Sequence, residues 1–210
     1  MDQEARKLRR RYALGGIATG TFGTVPGMLL MPYLTEVLAI SAAIAGLIVF
    51  LPKAWDMLLN PIAGRVSDRV KRQDRRRPFL LVAGPLMGLA FIGMFMGPKQ
   101  PPAAAAIWVL GFFLIAATAY AFFQVPYLAM SAEITDDYDE RSALMTWRVI
   151  VITIAIMIAG GGAPALVELA GGQAGYRLMA VVMGVLIIAG SLAVWWGTRN
   201  APMTRSEEAG

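Results

Sequence analysis

The chain has 210 residues, of which 57% are hydrophobic and only 16% charged, and its mean hydropathy is +0.59. Soluble domains average about 45–50% apolar and about 25% charged. Cysteine and histidine are both absent, which excludes disulfides, thiolate metal sites, and the usual general base and zinc ligand.

A net charge of +5 would fit a nucleic-acid partner, but the arginines sit between long apolar runs and not on a polar face. The composition is that of an integral membrane protein with an all-α fold. Six apolar segments are long enough to cross a hydrocarbon core, which takes about 20 helical residues. In chain order they are predicted at 12–37, 43–66, 79–97, 104–132, 143–167 and 176–197. Breakers or charge separate them: "TEVLAIS", "SDRVKRQDRRRP", "GPKQPP", "TDDYDER" and "ELAGGQAGYR". The start, "MDQEARKLRRRYALGG", has the basic flank of a signal peptide but no convincing small-residue cleavage site, so it reads as an uncleaved first helix. The expected organisation is a basic N-terminus at 1–11, a transmembrane domain at 12–197 and a tail at 198–210.

Lysine and arginine set the expected orientation. Fifteen of them fall on one side, in the N-terminus, the second and fourth connections and the tail; only Lys99 and Arg177 fall on the other. The positive-inside rule then places both termini in the cytoplasm of a multi-pass protein of the inner (plasma) membrane. The acidic "DDYDER" connection is cytoplasmic on the same reading, because Asp and Glu contribute little to topology.

An ionised group inside a span is costly and is a functional candidate by default. Lys53 and Asp56 lie three residues apart in the second span, Arg148 lies in the fifth, and the amide Gln124 lies in the fourth. Counted from the cytoplasmic end of its span, Asp56 is ~15 Å deep, Gln124 ~12 Å and Arg148 ~10 Å at the helical rise per residue. Different helices thus bring polar groups to one level. The competing reading is that Lys53 and Asp56 neutralise each other, Arg148 snorkels to the interface, and Gln124 is interhelical glue.

Two stretches resemble a known family. "NPIAGRVSDRVKRQDRRRPFLLVAG" is similar to the loop between the second and third helices of the major facilitator superfamily, G-x-x-x-D-R followed by basic residues. "WDMLLNPIAGRVSDR…RRRPF" taken with "VPYLAMSAEITDDYDERSALMTWR" resembles the glycoside–pentoside–hexuronide:cation symporters, the melibiose-carrier group. Such proteins have twelve helices, and the resemblance covers the first six. It implies half of a major-facilitator fold, two inverted three-helix repeats, related to its other half by an axis along the membrane normal.

The resemblance also implies roles for individual residues. The two second-helix positions that offer carboxylates to the coupling cation fall on Asp56 and Asn60. Substrate-binding positions fall on Gly20 in the first helix, Gln124 and Leu128 in the fourth, and Arg148 in the fifth. Three acids and a sugar-stacking ring of the family pattern are therefore replaced. A cytoplasmic latch would comprise Gly64, Asp68, Arg69, Arg75, Arg76 and Arg77 on one side. Its other side would comprise Glu133, Asp137, Glu140 and Arg141, closing the transporter in one conformation.

The implied function is a half-size secondary transporter for a sugar or glycoside, not an enzyme. It would be coupled to a proton in preference to sodium and have no other cofactor. Its expected partners are membrane lipid, the small-molecule substrate, and a second six-helix half, separately encoded or a homodimer copy; nucleic acid is not among them. The alternative is a non-transporting membrane subunit or the remnant of a broken transporter gene.

Overall fold

A computed structural model describes residues 3–69, 77–135 and 137–199. The described residues form α1 (Gln3–Ala13), α2 (Gly15–Pro32), α3 (Ala42–Arg69), α4 (Arg77–Phe95), α5 (Pro102–Ile134), α6 (Tyr138–Ala170) and α7 (Gly172–Thr198). α1 runs into α2 through Leu14, whose backbone is still helical. The two helices make one crossing, so six helices are long and apolar enough to span a membrane. The chain is a multi-pass membrane protein of the expected class.

The ends of the spans have local causes. Pro32 has no N–H to donate to the helix ladder, and the last turn beyond it widens to a π-helical turn, Tyr33–Val37. The chain then reverses at Ala39, a non-glycine residue with φ of +53°. The Ile40 N–H closes the reversal by donating to the Leu34 carbonyl at 2.9 Å. Between α6 and α7, Gly171 and Gly172 take φ of +64° and +48°, the left-handed region where a Cβ is penalised. That permits an abrupt turn in which the Gly175 N–H donates to the Gly171 carbonyl at 2.9 Å.

Three crossings separate the start of α2 from the start of α5, so the second group of three enters from the opposite side. The packing has the matching symmetry. α2, the first span of one group, packs on α6, the second of the other; α5 packs in the same way on α3. α2 also meets α7 while α5 meets α4, and α4 and α7 join the two groups. Within each group the first and second spans meet only sparsely. The arrangement is two inverted three-helix repeats with exchanged partners.

Without water to expel between helices, contact in a bilayer depends on close approach of small residues. Gly84 and Gly88 of α4 have room for no side chain. A Cβ at Gly84 would lie 2.2 Å from the Ser191 Cβ, and one at Gly88 would lie 2.9 Å from the Gly184 carbonyl. Across α3 and α5, the Trp55 indole N–H donates to the Thr118 hydroxyl at 3.0 Å.

Burial is uneven. Of the most apolar window in each span, 61% is buried in the first but only 22% in the second and 17% in the fifth. α3 and α6 therefore present broad apolar faces, with Leu47, Phe50, Met57 and Leu58 exposed on one and Ile154, Met157 and Ile158 on the other.

Candidate functional site

Asp56 sits midway along α3, and its carboxyl faces a cavity of about 160 Å³ where α2, α3 and α5 meet. Phe22, Gly23, Pro26 and Gly27 of α2 and Phe113, Ala117 and Tyr120 of α5 complete the lining with Pro52 and Lys53. One carboxyl oxygen, Oδ1, is buried without a hydrogen-bond partner among the described residues. Lys53 lines the same cavity, yet no ion pair joins it to Asp56, and its side chain is exposed. Mutual neutralisation of the two is not what the structure shows. Asn60, one turn along α3, faces the same carboxyl. Phe22 and Tyr120 stack at 5.0 Å between centroids and form an aromatic wall.

Tyr120 connects this cavity to the second polar group, since it lies within electrostatic reach of both Asp56 and Arg148. Arg148 is 9% exposed. It belongs to a stripe of inward-facing positions on α6 that continues through Ala155, Ala159 and Ala163. That stripe packs chiefly against α2 and meets α5 at Tyr127, so the guanidinium does not reach outward to an interface. It lies over the Tyr127 ring, 5.2 Å from the centroid, with its Nε buried and without a hydrogen-bond partner among the described residues. Gln124, on α5, accepts a hydrogen bond from the Thr19 hydroxyl at 2.9 Å through Oε1. That bond ties α5 to α2 and leaves the amide N–H donors available.

Of the four polar positions, Asp56 lines the cavity and Asn60 lies beside it on α3, whereas Gln124 on α5 and Arg148 on α6 are not among the lining residues. Two other expected positions lie elsewhere. Gly20 packs against α6: a Cβ there would lie 2.9 Å from both the Ile152 carbonyl and the Ala155 Cβ. The position is a helix contact with no space for the family's carboxylate. Leu128 is exposed on α5 and does not line the cavity.

At the end of the bundle that carries the N-terminus, the acidic motif divides into separate roles. Asp137 caps α6, its side chain accepting from the Asp139 and Glu140 N–H groups at 2.7 and 3.3 Å. Such a cap satisfies two of the donors that every helix start leaves free. Glu140 forms a bidentate ion pair with Arg9 of α1, with the Arg9 Nε donating to Oε2 at 2.9 Å. Its partner is thus on the N-terminal helix, while most of the basic connection between α3 and α4, which the acids were expected to meet, lies outside the described residues. Arg141 donates to the Thr135 carbonyl at 3.4 Å, and Glu133 is half-buried on α5. A Cβ at Gly64 would lie 3.8 Å from Val125 Cγ1 of α5, and Arg69 is exposed at the end of α3. Arg75 and Arg76, and the side chains of Asp68 and Arg77, lie outside the described residues.

Thr19, Tyr127 and Arg9 were not anticipated from the sequence. Thr19 and Tyr127 are neutral residues in apolar runs. Arg9 is one of several adjacent arginines, and its partner is 131 positions away.

Comparison with known proteins agrees with this fold. The family model described as MFS/sugar transport protein matches residues 11–210. "Putative glycoside/cation symporter YagG" of Escherichia coli K12 is 30% identical over 189 residues, which are 88% of this chain and 41% of that protein. "Uncharacterized symporter YjmB" of Bacillus subtilis is 27% identical over 194 residues, 90% of this chain and 41% of its own length. The mouse sodium-dependent lysophosphatidylcholine symporter 1 is 27% identical over 153 residues, 70% of this chain and 29% of its own. The chain thus spans about two-fifths of the length of the first two relatives. With six spanning helices in two exchanged repeats and a match over nearly its whole length, the chain belongs to the MFS/sugar transport protein family of the major facilitator superfamily.

Proposed function

We propose that this six-helix unit forms part of a secondary transporter that takes up a sugar or glycoside together with a proton, working with a second six-helix unit. The second unit is separately encoded or a copy of this chain. The observation that carries the reading is Asp56, which lines a cavity between three helices with one carboxyl oxygen buried and without a hydrogen-bond partner among the described residues. A charge left in that position is costly, and binding a proton relieves the cost. Sodium needs several oxygen ligands, and Asp56 is the one carboxylate in the cavity lining. Arg148 and Gln124, on the adjoining helices, supply hydrogen-bond donors for substrate hydroxyls.

A second unit gives the bare faces of α3 and α6 a partner and closes the cavity. The excess of lysine and arginine at the N-terminus, the second connection and the tail supports cytoplasmic termini in an inner or plasma membrane.

The test is transport by the assembled protein in proteoliposomes. Asp56→Asn is expected to abolish accumulation against a gradient while retaining downhill exchange, because coupling and substrate binding are separate roles. Undiminished uphill accumulation by this variant, or strict dependence of the wild type on sodium at fixed pH, would remove the proton assignment.

A further inference from the structure

Arg148 is the sole charged residue between Arg141 and Glu168, and it makes no ion pair among the described residues. A long, flexible side chain of this kind has many rotamers and a tendency to reach for water. Its neighbour here is an aromatic face. The guanidinium carbon stands 5.2 Å from the centre of the Tyr127 ring, within the range where a cation is attracted to the negative face of an aromatic ring.

That ring is fixed by its surroundings. The Tyr127 hydroxyl donates to the Tyr12 carbonyl at 2.8 Å, and the Tyr12 hydroxyl donates back to the Tyr127 carbonyl at 2.9 Å. The two rings are 4.8 Å apart and both are fully buried. Gly15 makes the space: a Cβ there would lie 2.6 Å from the Tyr127 Cζ. Gly16 brings α2 close to the backbone of Arg148 itself, where a Cβ would lie 3.1 Å from the Arg148 carbonyl. Three elements, α1, α2 and α5, therefore converge around Arg148 of α6.

We propose that Tyr127 is a positioning residue for Arg148, its ring held by Tyr12 so that the guanidinium keeps its place on the inward face of α6. The proposal rests on the reading of Arg148 as a substrate contact, and its test separates the two. A residue that merely fills the core would be replaceable by any side chain of similar volume. A residue that acts through its π face is replaceable by phenylalanine, which keeps the ring contact with Tyr12 and the bond from the Tyr12 hydroxyl to the backbone carbonyl, but not by leucine or methionine.

The primary measurement needs no substrate. Phenylglyoxal, an arginine-selective dicarbonyl, is applied to the assembled transporter in membranes, and modification is read site by site by mass spectrometry. Arg177, exposed on α7, serves as the internal reference. Arg148 is expected to react slowly in the wild type and in Tyr127→Phe. In Tyr127→Leu it should react about tenfold faster relative to Arg177, the loss expected for a desolvated cation–π contact. Tyr127→Met, closer in length and equally without a π face, gives the same increase and replaces the leucine variant if that one does not fold. Equal Arg148 rates in the wild type and in both apolar variants would overturn the proposal.

The second measurement is binding of 4-nitrophenyl α-D-galactopyranoside. Tyr127→Met is expected to weaken binding when Arg148 is present and to add nothing in an Arg148→Ala background, the non-additivity of two residues acting as a unit. A further loss in that background also counts against the proposal. Binding that is indifferent to Arg148→Ala refutes the substrate role of Arg148, while the labelling rates still decide whether Tyr127 positions it.

Discussion

Glu140 and Arg9 illustrate how a charged residue acquires a role that its neighbours in the chain do not reveal. Asp137, three residues earlier in the same acidic run, is consumed locally by capping α6. Glu140 is left facing α1, where Arg9 meets it in a two-pronged geometry with side chains 13% and 30% exposed. Bidentate pairing adds direction to a charge-assisted bond, but partial exposure lets solvent screen it. A double-mutant cycle of Arg9→Ala and Glu140→Gln, read by thermal unfolding in detergent, is expected to give a coupling of about 1 kcal/mol. The coupling should shrink when ionic strength is raised. A coupling of zero at low salt would show that the pair does not join α1 to α6. The same residues mark the limit of legibility at this scale. Asp56 stood out in the sequence because a carboxylate deep in a span is rare, whereas Thr19 and Tyr127 carry no charge and are revealed only by their hydrogen bonds.

Among the helices, α6 shows how a span with little protein contact still holds its orientation. Its inward face is the stripe through Leu144, Arg148, Ala155, Ala159 and Ala163, spaced by one or two helical turns, which keeps them on one side of the helix. The alanines let α2 approach closely, and Gly16 and Gly20 are the complementary surface. Gly20→Ala is therefore expected to lower stability by roughly 1–3 kcal/mol, because the added methyl meets the Ile152 backbone carbonyl, which cannot move aside as a side chain could. Gly111 of α5 has no atom within 4 Å of its would-be Cβ. Gly111→Ala should raise stability by about 0.5–1 kcal/mol, the ordinary gain for alanine over glycine inside a helix. Thermal unfolding of the two variants in one detergent makes the comparison, and similar effects of the same sign would contradict this packing. Glycine content was visible in the sequence, but not which glycines face a partner. Gly20 and Gly111 look equivalent until the helices are assembled.

For the whole molecule, exchange of partners between the two repeats leaves the second span of each on the outside. α3 and α6 are those spans, and they carry the apolar faces that the proposed second six-helix unit would cover. Orientation can be tested directly, since the chain contains no native cysteine. A membrane-impermeant maleimide is expected to label Lys99→Cys in intact cells. Arg76→Cys should be labelled only after permeabilisation. The reverse pattern would invert the topology and with it the cytoplasmic placement of the ion-paired end.

Composition and pattern alone determined that the chain crosses a membrane six times, that its helices divide as they do, and which buried charges merit attention. Those properties depend on local quantities: twenty apolar residues span a bilayer wherever they occur, and a lone Asp or Arg within them is costly in any fold. The motifs, read in order, were enough to indicate the family. The tertiary structure decided the partners. It gave Glu140 to Arg9, packed Gly20, the position that corresponds to a family carboxylate, against α6, and placed Arg148 over Tyr127. Each of these depends on which helix faces which, and that follows from the close approach of small residues on different spans, a relation that no single stretch of the sequence contains.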